Sequence, residues 1–189
     1  MNFPILIIFS YLLGSIPFGK IIGRLHGVDI QKAGSGNIGF ANSLRVLGSR
    51  SASVVLLGDM AKGFIPTFLA IQQFQFSNYT LLIAFAAVLG HIFPPWLKFK
   101  GGKGVATVIG VTLALSPLLG ALALVVWIII FRSFKMAAIA SFTIAILLPI
   151  IIGIIMPKLL YLYIAFAVTI FITHHSNINN LIHHKEREF

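Results

Sequence analysis

A stretch at residues 90–107, GHIFPPWLKFKGGKGVAT, holds three lysines and four glycines between two apolar segments. Successive glycines let backbone N–H groups converge on one point and form a concavity for phosphate oxygens, and a lysine adds a compact positive charge. We therefore predict that Lys103, which has glycines on both sides, binds an anion. Lys98 and Lys100 are interpreted as anchors for lipid head groups. The P-loop spacing G-x-x-x-x-G-K-[ST] is absent, so ATP hydrolysis is not expected.

A second glycine-rich stretch, AGSGNIGFAN at residues 33–42, offers polar side chains to the same kind of ligand. It matches the dinucleotide pattern G-x-G-x-x-G, but that pattern has meaning only between a strand and a helix of a parallel sheet, so we reject the match. Arg45 follows shortly and carries a fixed charge in a fork that suits phosphate. We predict a polar substrate loop, with a flexible turn as the alternative. Its candidate residues are Gly34, Ser35, Gly36, Asn37 and Asn42.

Asp59 and Lys62 lie within an apolar segment, three residues apart and therefore on one face of a helix. Either charge alone at the centre of a spanning helix is unfavourable by roughly 2.5 to 3.5 kcal/mol, so the two must pair or face a polar cavity. A structural ion pair and a catalytic pair are both open at this point. We interpret both residues as support for the site, together with His91, which is placed to fix the start of the glycine-rich loop.

The C-terminal tail, THHSNINNLIHHKEREF, contains a candidate for proton transfer. His174 and Asn177 are three residues apart, so one helical face would present a proton acceptor and a hydrogen-bond donor to a substrate, the alternative being a plain helix that emerges into the cytoplasm. The paired histidines lack a carboxylate or thiolate at ligand spacing, and no metal site is predicted. The sequence has no G-x-S-x-G elbow, no H-x-x-x-x-D pattern and no cysteine, so no side-chain nucleophile is indicated.

Membrane spans must position these residues. Hydrophobic residues make up 58% of the 189-residue chain and charged residues 10%, against roughly a quarter charged in a soluble domain. No alternating pattern suggests a barrel, so helices must satisfy the backbone in lipid. We predict an all-α integral membrane protein in which residues 1–189 form a single membrane-embedded domain. The apolar runs cover residues 3–23, 51–71, 79–97, 105–131, 136–156 and 158–173.

The fourth apolar run is too long for one span, since its 27 residues would form a helix of about 40 Å against a hydrocarbon core of about 30 Å. Ser116 and Pro117 lie near its middle and are predicted to turn the chain back, which gives seven crossings, two of them short. Seven crossings place eleven of the fourteen Lys and Arg residues on one side. The positive-inside rule then predicts an external N-terminus and a cytoplasmic C-terminus. We accordingly attribute the net charge of +10 to basic loops that orient the protein in the membrane, and not to nucleic-acid binding.

The chain resembles the PlsY family, the bacterial membrane acyl-phosphate:glycerol-3-phosphate acyltransferases, in four sequence blocks. The blocks are YLLGSIPFG (residues 11–19), GSGNIG (34–39) with Asn42 and Arg45, DMAKG (59–63) and GHIFPPWLKFKGGKGVAT (90–107). They fall in family order and at family spacing. In the tail, where the family pattern is H-R-x-N-I-x-R-L-x-x-G-x-E, His174, Asn177 and Glu186 fit.

Several positions depart from the family pattern. His175, Asn180 and His184 stand where the family usually has Arg, Arg and Gly, and Ala41 stands where it usually has Thr, after Phe40 in place of Ala. These departures allow altered specificity or reduced activity, so a catalytically impaired paralogue is one alternative. A transporter or flippase of a phosphorylated metabolite is the other, although a transporter would be expected to have repeated halves, and no repeat is evident.

The resemblance implies a seven-helix enzyme of the bacterial cytoplasmic membrane whose site faces the cytoplasm. It implies transfer of an acyl group from acyl phosphate to the sn-1 hydroxyl of glycerol 3-phosphate, giving lysophosphatidic acid and phosphate, with no cofactor expected. Acyl phosphate is already activated, so the protein needs to hold two anions together and exclude water. The expected partners are these two substrates, membrane lipids and other phospholipid-synthesis enzymes.

Each candidate residue receives a role in this reaction. Ser35, Arg45 and Lys103 are assigned to phosphate binding, His174 and Asn177 to orienting glycerol 3-phosphate, the Gly101, Gly102 and Gly104 backbone to acyl phosphate, and Glu186 to support of the site. The proton of the attacking hydroxyl is expected to go to a substrate phosphate or to His174.

Overall fold

The protein is built from α-helices, without a β-strand, over the part of the chain that the computed structural model describes, residues 2–188. The helices are α1 (Phe3–Gly14), α2 (Phe18–Leu25), α3 (Phe40–Leu47), α4 (Ser49–Phe74), α5 (Asn78–Ile92), α6 (Val105–Leu115), α7 (Pro117–Phe134), α8 (Ala137–Ile155), α9 (Leu160–Thr173) and α10 (His175–Ile182). Short 3₁₀ turns at Pro95–Leu97 and Pro157–Leu159 precede the glycine-rich loop and α9. The predicted all-α class is confirmed for these residues.

Five helical segments of the described chain are long and apolar enough to cross a bilayer. They are Phe3–Leu25, which joins α1 and α2, then α4, Asn78–Leu97, α7 and α8. The α9 segment and α10, bent by 60° between them, make a sixth when the pair is counted as one span. Helix α6 is apolar but has only 11 residues, which corresponds to about 16 Å. These spans agree with the predicted membrane class. The predicted seven crossings are reached only if α6 is counted as a short transmembrane helix.

The break predicted at Ser116 and Pro117 is confirmed. Helix α6 ends at Leu115, Ser116 has an extended backbone with φ −152° and ψ 102°, and Pro117 is the first residue of α7. Proline is favoured there because its ring fixes a helical φ and its missing N–H would have no partner in the first turn. Two short helices are expected from the sequence, but α7 continues to Phe134 and has 18 residues, so α6 alone of the two is short.

Helices α1 and α5 are joined near the start of the glycine-rich loop. Gly14 packs so closely on α5 that a Cβ at this position would overlap the carbonyl of Ala87. Just beyond the helix ends, Trp96 Nε1 donates a hydrogen bond to Ser15 Oγ over 2.7 Å. The segment that leads into the glycine-rich loop is therefore held against the end of α1.

Helices α4 and α6 are in close contact through glycines on both helices. A Cβ at Gly63 would overlap the carbonyl of Thr107, and a Cβ at Gly110 would overlap that of Met60. Small residues of this kind let two helix backbones approach each other within a membrane. The contact places the first turn of α6, which directly follows the GGKG sequence, beside the part of α4 that carries Asp59.

The core lies between α6, α7, α8 and α9. Tyr163 and Phe166 of α9 are each 1% exposed, and they belong to the same buried cluster as Ile109 of α6 and Ile144 of α8. On the outer surface the same residue types remain exposed, and Ile154 of α8 is 76% exposed. A helix that is apolar on both its inner and outer faces is typical of a membrane span.

Candidate active site

A cavity of about 700 Å³ opens where three polar segments meet: the loop before α3, the glycine-rich loop before α6, and the tail after α9. This volume is typical of a small-molecule site. The cavity is lined by Ser35, Arg45, Lys103, His174 and Asn177, which are the residues assigned to the reaction. Of the other candidates, Gly36, Asn37, Asn42, Asp59, His91, Gly101, Gly104 and Glu186 line it too, whereas Gly34, Lys62 and Gly102 do not.

Asn42 holds the first loop together through its side-chain hydrogen bonds, and its role as a substrate ligand stays a prediction. Its Oδ1 accepts a hydrogen bond from the Ser35 N–H over 2.8 Å. Its Nδ2 donates to the carbonyls of Ile30, Ala33 and Asn37 over 3.2, 3.0 and 2.9 Å. Asn42 is 1% exposed, and both polar groups of its side chain are engaged within the loop. The residue therefore positions Ser35 and Asn37, and it also lines the cavity.

The loop around Ser35 depends on glycine conformations. Gly34 and Gly36 have φ of 59° and 75°, in the left-handed region that is unfavourable for residues with a Cβ. A Cβ at Gly34 would also overlap the Asn42 side chain, so Gly34 shapes the loop and its predicted contact with substrate is corrected. Ser35 Oγ accepts from the Asn37 N–H over 3.4 Å. Within residues 2–188 its hydroxyl proton has no acceptor, which leaves it able to donate to a ligand.

Arg45 reaches the cavity from α3, a helix that the sequence analysis did not predict. The helix begins after Gly39, whose N–H donates to Asn37 Oδ1 over 2.8 Å, and it ends at Gly48, where φ is 80°. Arg45 is three residues after Asn42 and thus on the same side of the helix. The helix that anchors the first loop therefore also carries the guanidinium.

The N–H groups of Gly101 and Gly102 are not available to a phosphate, contrary to the prediction. They donate to the carbonyls of Ile92 and His91, each over 3.0 Å, and fold the loop back on the end of α5. The next glycine, Gly104, has φ of 90° and precedes the first residue of α6. The N–H groups of a helix's first turn have no carbonyl partner within the helix, and they attract anions. The groups of this loop that remain available to an anion are therefore the start of α6 and the Lys103 side chain.

The buried ion pair predicted on α4 is confirmed. Lys62 Nζ lies 2.8 Å from Asp59 Oδ1, and both side chains are at most 2% exposed. Lys62 Nζ also donates to the carbonyl of Ile16 over 2.9 Å, at the break between α1 and α2. On the other side, His91 Nδ1 lies 3.6 Å from Asp59 Oδ1, and a Cβ at Gly102 would overlap the His91 ring. Asp59, Lys62 and His91 thus form one buried group against the glycine-rich loop.

Lys103, Asn177 and Glu186 form a hydrogen-bonded chain in the wall of the cavity. Lys103 Nζ donates to Asn177 Oδ1, and Asn177 Nδ2 donates to Glu186 Oε1 over 2.6 Å. Thr173 Oγ1 donates to the carbonyl of Lys103 over 3.1 Å, which ties the glycine-rich loop to the end of α9. Burial lowers the pKa of Lys103 below its usual value, and the nearby Glu186 carboxylate opposes this change.

Arg45 provides a second cation in the same cavity. Partial burial lowers the pKa of its guanidinium, the charge of Arg187 lowers it further, and Glu186 opposes both effects. An arginine nevertheless stays protonated in a protein at neutral pH. Lys100 and Arg187 also line the cavity, while of the two carboxylates in its lining Asp59 is paired with Lys62, so positive charge prevails over Glu186 and the lining favours anions.

His174 is held as a neutral imidazole with one nitrogen able to accept a proton. It lies directly after α9 and is 4% exposed, and its Nδ1 is 2.8 Å from the carbonyl oxygen of Ile170. A carbonyl only accepts hydrogen bonds, so Nδ1 carries the proton and Nε2 has the free lone pair. Burial, together with the charge of Lys103, lowers the pKa of His174 to about 3.

The departures from the family pattern fall in or near the cavity. Ala41, His175 and Asn180 line it, so each changes the cavity wall directly. His184 has φ of 54°, the left-handed region that favours glycine, at the position where the family usually has glycine. The backbone at His184 therefore keeps the left-handed turn. A glycine would adopt this turn without strain, whereas a histidine is less favourable there.

Part of the cavity lining is apolar, and this part was not predicted from the sequence. Leu56, Ile109 and Leu124 contribute to it from α4, α6 and α7. Trp127 forms one wall, and its ring packs edge-on against Phe40, with 5.7 Å between the ring centroids. An apolar chamber that adjoins two cations can hold a ligand with a charged head and an alkyl chain.

Comparisons with known proteins agree with this combination. The profile of a family described as glycerol-3-phosphate acyltransferase matches residues 4–184. The protein named glycerol-3-phosphate acyltransferase from Wolbachia pipientis subsp. Culex pipiens (strain wPip) is 40% identical over 187 residues, covering 98% of this chain and 97% of the relative. The protein of the same name from Aquifex aeolicus (strain VF5) is also 40% identical over 187 residues, with 97% of each chain covered.

Two solved structures have the same fold. They are crystal structures of PlsY (YgiH), an integral membrane glycerol 3-phosphate acyltransferase, in a glycerol 3-phosphate form and a lysophosphatidic acid form. Their TM-scores to this chain are 0.94 and 0.93, at 38% identity, covering 99% of this chain and 95% of each structure. On both sequence and structure, the chain belongs to the glycerol-3-phosphate acyltransferase family.

Proposed function

We propose that the protein transfers a fatty acyl group from acyl phosphate to the sn-1 hydroxyl of glycerol 3-phosphate, which yields lysophosphatidic acid and inorganic phosphate. One observation carries the proposal: Arg45, Lys103 and the neutral His174 line one cavity together with apolar side chains. The cations suit the two phosphates, the imidazole suits the hydroxyl proton, and the apolar part suits the acyl chain. The glycerol 3-phosphate and lysophosphatidic acid forms of the similar PlsY structure support the acceptor and the product.

The chemistry requires no covalent intermediate. The sn-1 oxygen attacks the carbonyl carbon of acyl phosphate, the bond between that carbon and the bridging oxygen breaks, and inorganic phosphate leaves with the electron pair. The hydroxyl proton passes to Nε2 of His174 or to a phosphate oxygen. Lys103 and the start of α6 stabilise the charge that develops on the leaving phosphate.

The two anionic substrates occupy different parts of the polar wall in this proposal. Lys103 and the N-terminus of α6 bind the phosphate of the donor, because its acyl chain must extend into the apolar chamber beside α6. Ser35 and Arg45 bind the phosphate of glycerol 3-phosphate, with Asn177 and His174 orienting its hydroxyls. Holding both reactants in one dehydrated site raises their effective concentration at the reacting atoms.

The membrane arrangement is part of the proposal. Seven crossings, with α6 as a short one, place the loops that line the cavity on the cytoplasmic side of a bacterial cell membrane, because those loops carry most of the basic residues. The short helix is tolerable because it packs against α4 and is largely buried. Residues 1–189 act as one domain, and Lys98 contacts lipid head groups, whereas Lys100, expected to do the same, lines the cavity. Association with other enzymes of phospholipid synthesis brings the acyl phosphate.

An assay in detergent tests the reaction. Purified protein is incubated with labelled glycerol 3-phosphate and palmitoyl phosphate, with palmitoyl-CoA as the alternative donor, and labelled lysophosphatidic acid is measured. We expect product with palmitoyl phosphate only. Arg45→Ala and Lys103→Ala should each remove most of the turnover, while Arg50→Ala, at an exposed position, should leave it unchanged. Normal turnover in either cavity variant would remove that residue from the site, and no product at all would contradict the proposal.

A further inference from the structure

Glu186 presents an unused acceptor at the wall of the cavity. One carboxylate oxygen, Oε1, accepts the hydrogen bond from Asn177 Nδ2 over 2.6 Å. The other, Oε2, is buried and accepts no hydrogen bond from any residue between 2 and 188. A buried carboxylate oxygen without a donor is unfavourable, so an arrangement of this kind calls for a ligand that supplies the donor.

The chemistry of the missing partner is restricted. A carboxylate only accepts hydrogen bonds, and a phosphate oxygen or an acyl carbonyl only accepts them as well. Neither phosphate group nor the carbonyl of the donor substrate can therefore satisfy Glu186. A hydroxyl can, and the acceptor substrate has two: the sn-1 hydroxyl, which reacts, and the sn-2 hydroxyl, which does not.

The position of Glu186 fits the second hydroxyl. The Asn177 amide bonds Lys103 through its oxygen and Glu186 through its nitrogen, so Glu186 is joined directly to the residue that we propose orients the hydroxyls of glycerol 3-phosphate. His174 precedes Asn177 by three residues and offers Nε2 as a second acceptor in the same cavity. Two acceptors that line one cavity suit the two hydroxyls of glycerol 3-phosphate.

We infer that Glu186 accepts a hydrogen bond from the sn-2 hydroxyl and thereby selects glycerol 3-phosphate against phosphate esters that lack a donor at this carbon. The inference rests on the proposed function. Dihydroxyacetone phosphate has a carbonyl group at the second carbon. Its oxygen only accepts hydrogen bonds, so it cannot donate one to the Glu186 carboxylate. 3-Hydroxypropyl phosphate carries no polar group there and leaves Oε2 without a partner. Both retain the phosphate and the terminal hydroxyl that would be acylated.

The test compares these three acceptors in the palmitoyl phosphate assay. For the wild-type protein we expect kcat/KM for glycerol 3-phosphate to exceed that for each analogue by on the order of 100-fold. In Glu186→Gln, the amide can keep the bond to Asn177 and present an N–H₂ group in place of Oε2. The preference over dihydroxyacetone phosphate should then fall by about 10-fold or more, because an amide can donate to a carbonyl. Glu188→Gln, at an exposed position in the same tail, is the matched control and should keep the wild-type preference.

A second measurement uses the wild-type protein alone, so it does not depend on the variant folding. Both analogues are tested as competitive inhibitors of glycerol 3-phosphate, and we expect inhibition constants on the order of 10-fold or more above the KM for glycerol 3-phosphate. Equal affinity for all three compounds, or an unchanged preference in a folded Glu186→Gln protein, would overturn the role of Glu186 while leaving acyl transfer intact. Failure of the wild-type protein to acylate glycerol 3-phosphate would instead overturn the proposed function and this inference with it.

Discussion

The side chains of Lys103 and Asn177 are hydrogen-bonded although 74 residues separate them in the sequence. The bond joins the glycine-rich loop to the first turns of α10, and Asn177 continues it to Glu186. Lys103, which we propose binds phosphate, is thus oriented by the segment that also carries His174. In the proposed reaction, the position of the phosphate and the position of the proton acceptor are therefore coupled.

Asn177→Ala should disrupt this coupling. Without the amide, Lys103 loses its orienting acceptor and Glu186 loses its donor, so we expect kcat/KM for glycerol 3-phosphate to fall about 10- to 100-fold. Steady-state kinetics in detergent measure the effect. Asn179→Ala, an exposed position in the same helix, serves as the control. Equal losses in the two variants would show that the helix, and not the Asn177 amide, is responsible.

His174→Gln should lower kcat by about 10²- to 10⁴-fold if Nε2 takes the proton, since glutamine cannot act as a base at neutral pH. His183→Gln, an exposed histidine of the same tail, should behave as wild type. Near-normal turnover in His174→Gln would assign the proton to a substrate phosphate instead.

The pH dependence gives an independent check on His174. Its pKa is lowered to about 3, so the imidazole is neutral above that pH and needs no further deprotonation. We therefore expect no loss of kcat/KM from this group between about pH 5 and pH 8. An acidic limb near the ordinary histidine pKa that disappears in His174→Gln would contradict the neutral, buried imidazole.

Lys103 should limit activity on the alkaline side. Burial lowers its pKa, so the ammonium loses its proton at a lower pH than an exposed lysine would, and phosphate binding weakens as the pH rises through that value. Lys103→Arg should move the alkaline limb of kcat/KM to higher pH, because the guanidinium keeps its charge. The exposed Lys98→Arg is the control. If the alkaline limb of the kcat/KM profile stays at the same pH in Lys103→Arg, a group other than Lys103 is responsible for it.

Because Asp59 and Lys62 form an ion pair, the losses in the free energy of unfolding caused by substituting each residue should not be additive. Asp59→Asn or Lys62→Met alone leaves an unmatched buried charge and should lower the free energy of unfolding by about 3 to 5 kcal/mol. The double variant removes both charges and should recover a large part of the loss. Thermal unfolding in detergent measures all three proteins. Additive losses would mean that the two side chains are stabilised by different partners.

Gly102 and His91 should show a similar dependence on each other. Gly102→Ala places a Cβ in the His91 ring and should displace the glycine-rich loop, which raises KM for acyl phosphate. His91→Ala opens that space, so the double variant should bind acyl phosphate better than Gly102→Ala alone. Gly153→Ala in α8 is the control, because a Cβ there meets only ordinary contacts with Leu160, the nearest being 3.4 Å. If acyl phosphate binding does not recover in the double variant, the effect of Gly102→Ala does not come from its contact with the His91 ring.

Charged and polar residues were the most predictable part of the site. Arg45, Lys103 and His174 lie in three different segments of the chain, yet a chain surrounded by lipid has few places for such groups, and they share one cavity. The pairing of Asp59 with Lys62 follows from their spacing and from the unfavourable transfer of a single charge into the membrane. The break at Ser116 follows in the same way from the length of the run and the proline after it.

The local hydrogen bonds and the apolar chamber could not be predicted. Whether the N–H of Gly101 faces a ligand or a carbonyl depends on how the loop folds back on α5, and no sequence pattern records that. In the sequence, Asn42 looks like a polar residue of a substrate loop. Its hydrogen-bond partners are backbone groups of residues up to twelve positions earlier, which the sequence does not reveal. Phe40 and Trp127 line the chamber, yet in the sequence they resemble any other apolar side chain that faces lipid.

The central claim is direct transfer between two substrates bound together in this cavity. The initial rate should be measured over a matrix of glycerol 3-phosphate and palmitoyl phosphate concentrations. We expect double-reciprocal lines that intersect, because both substrates are bound before phosphate leaves. Parallel lines, the signature of an acylated enzyme formed before glycerol 3-phosphate binds, would contradict it.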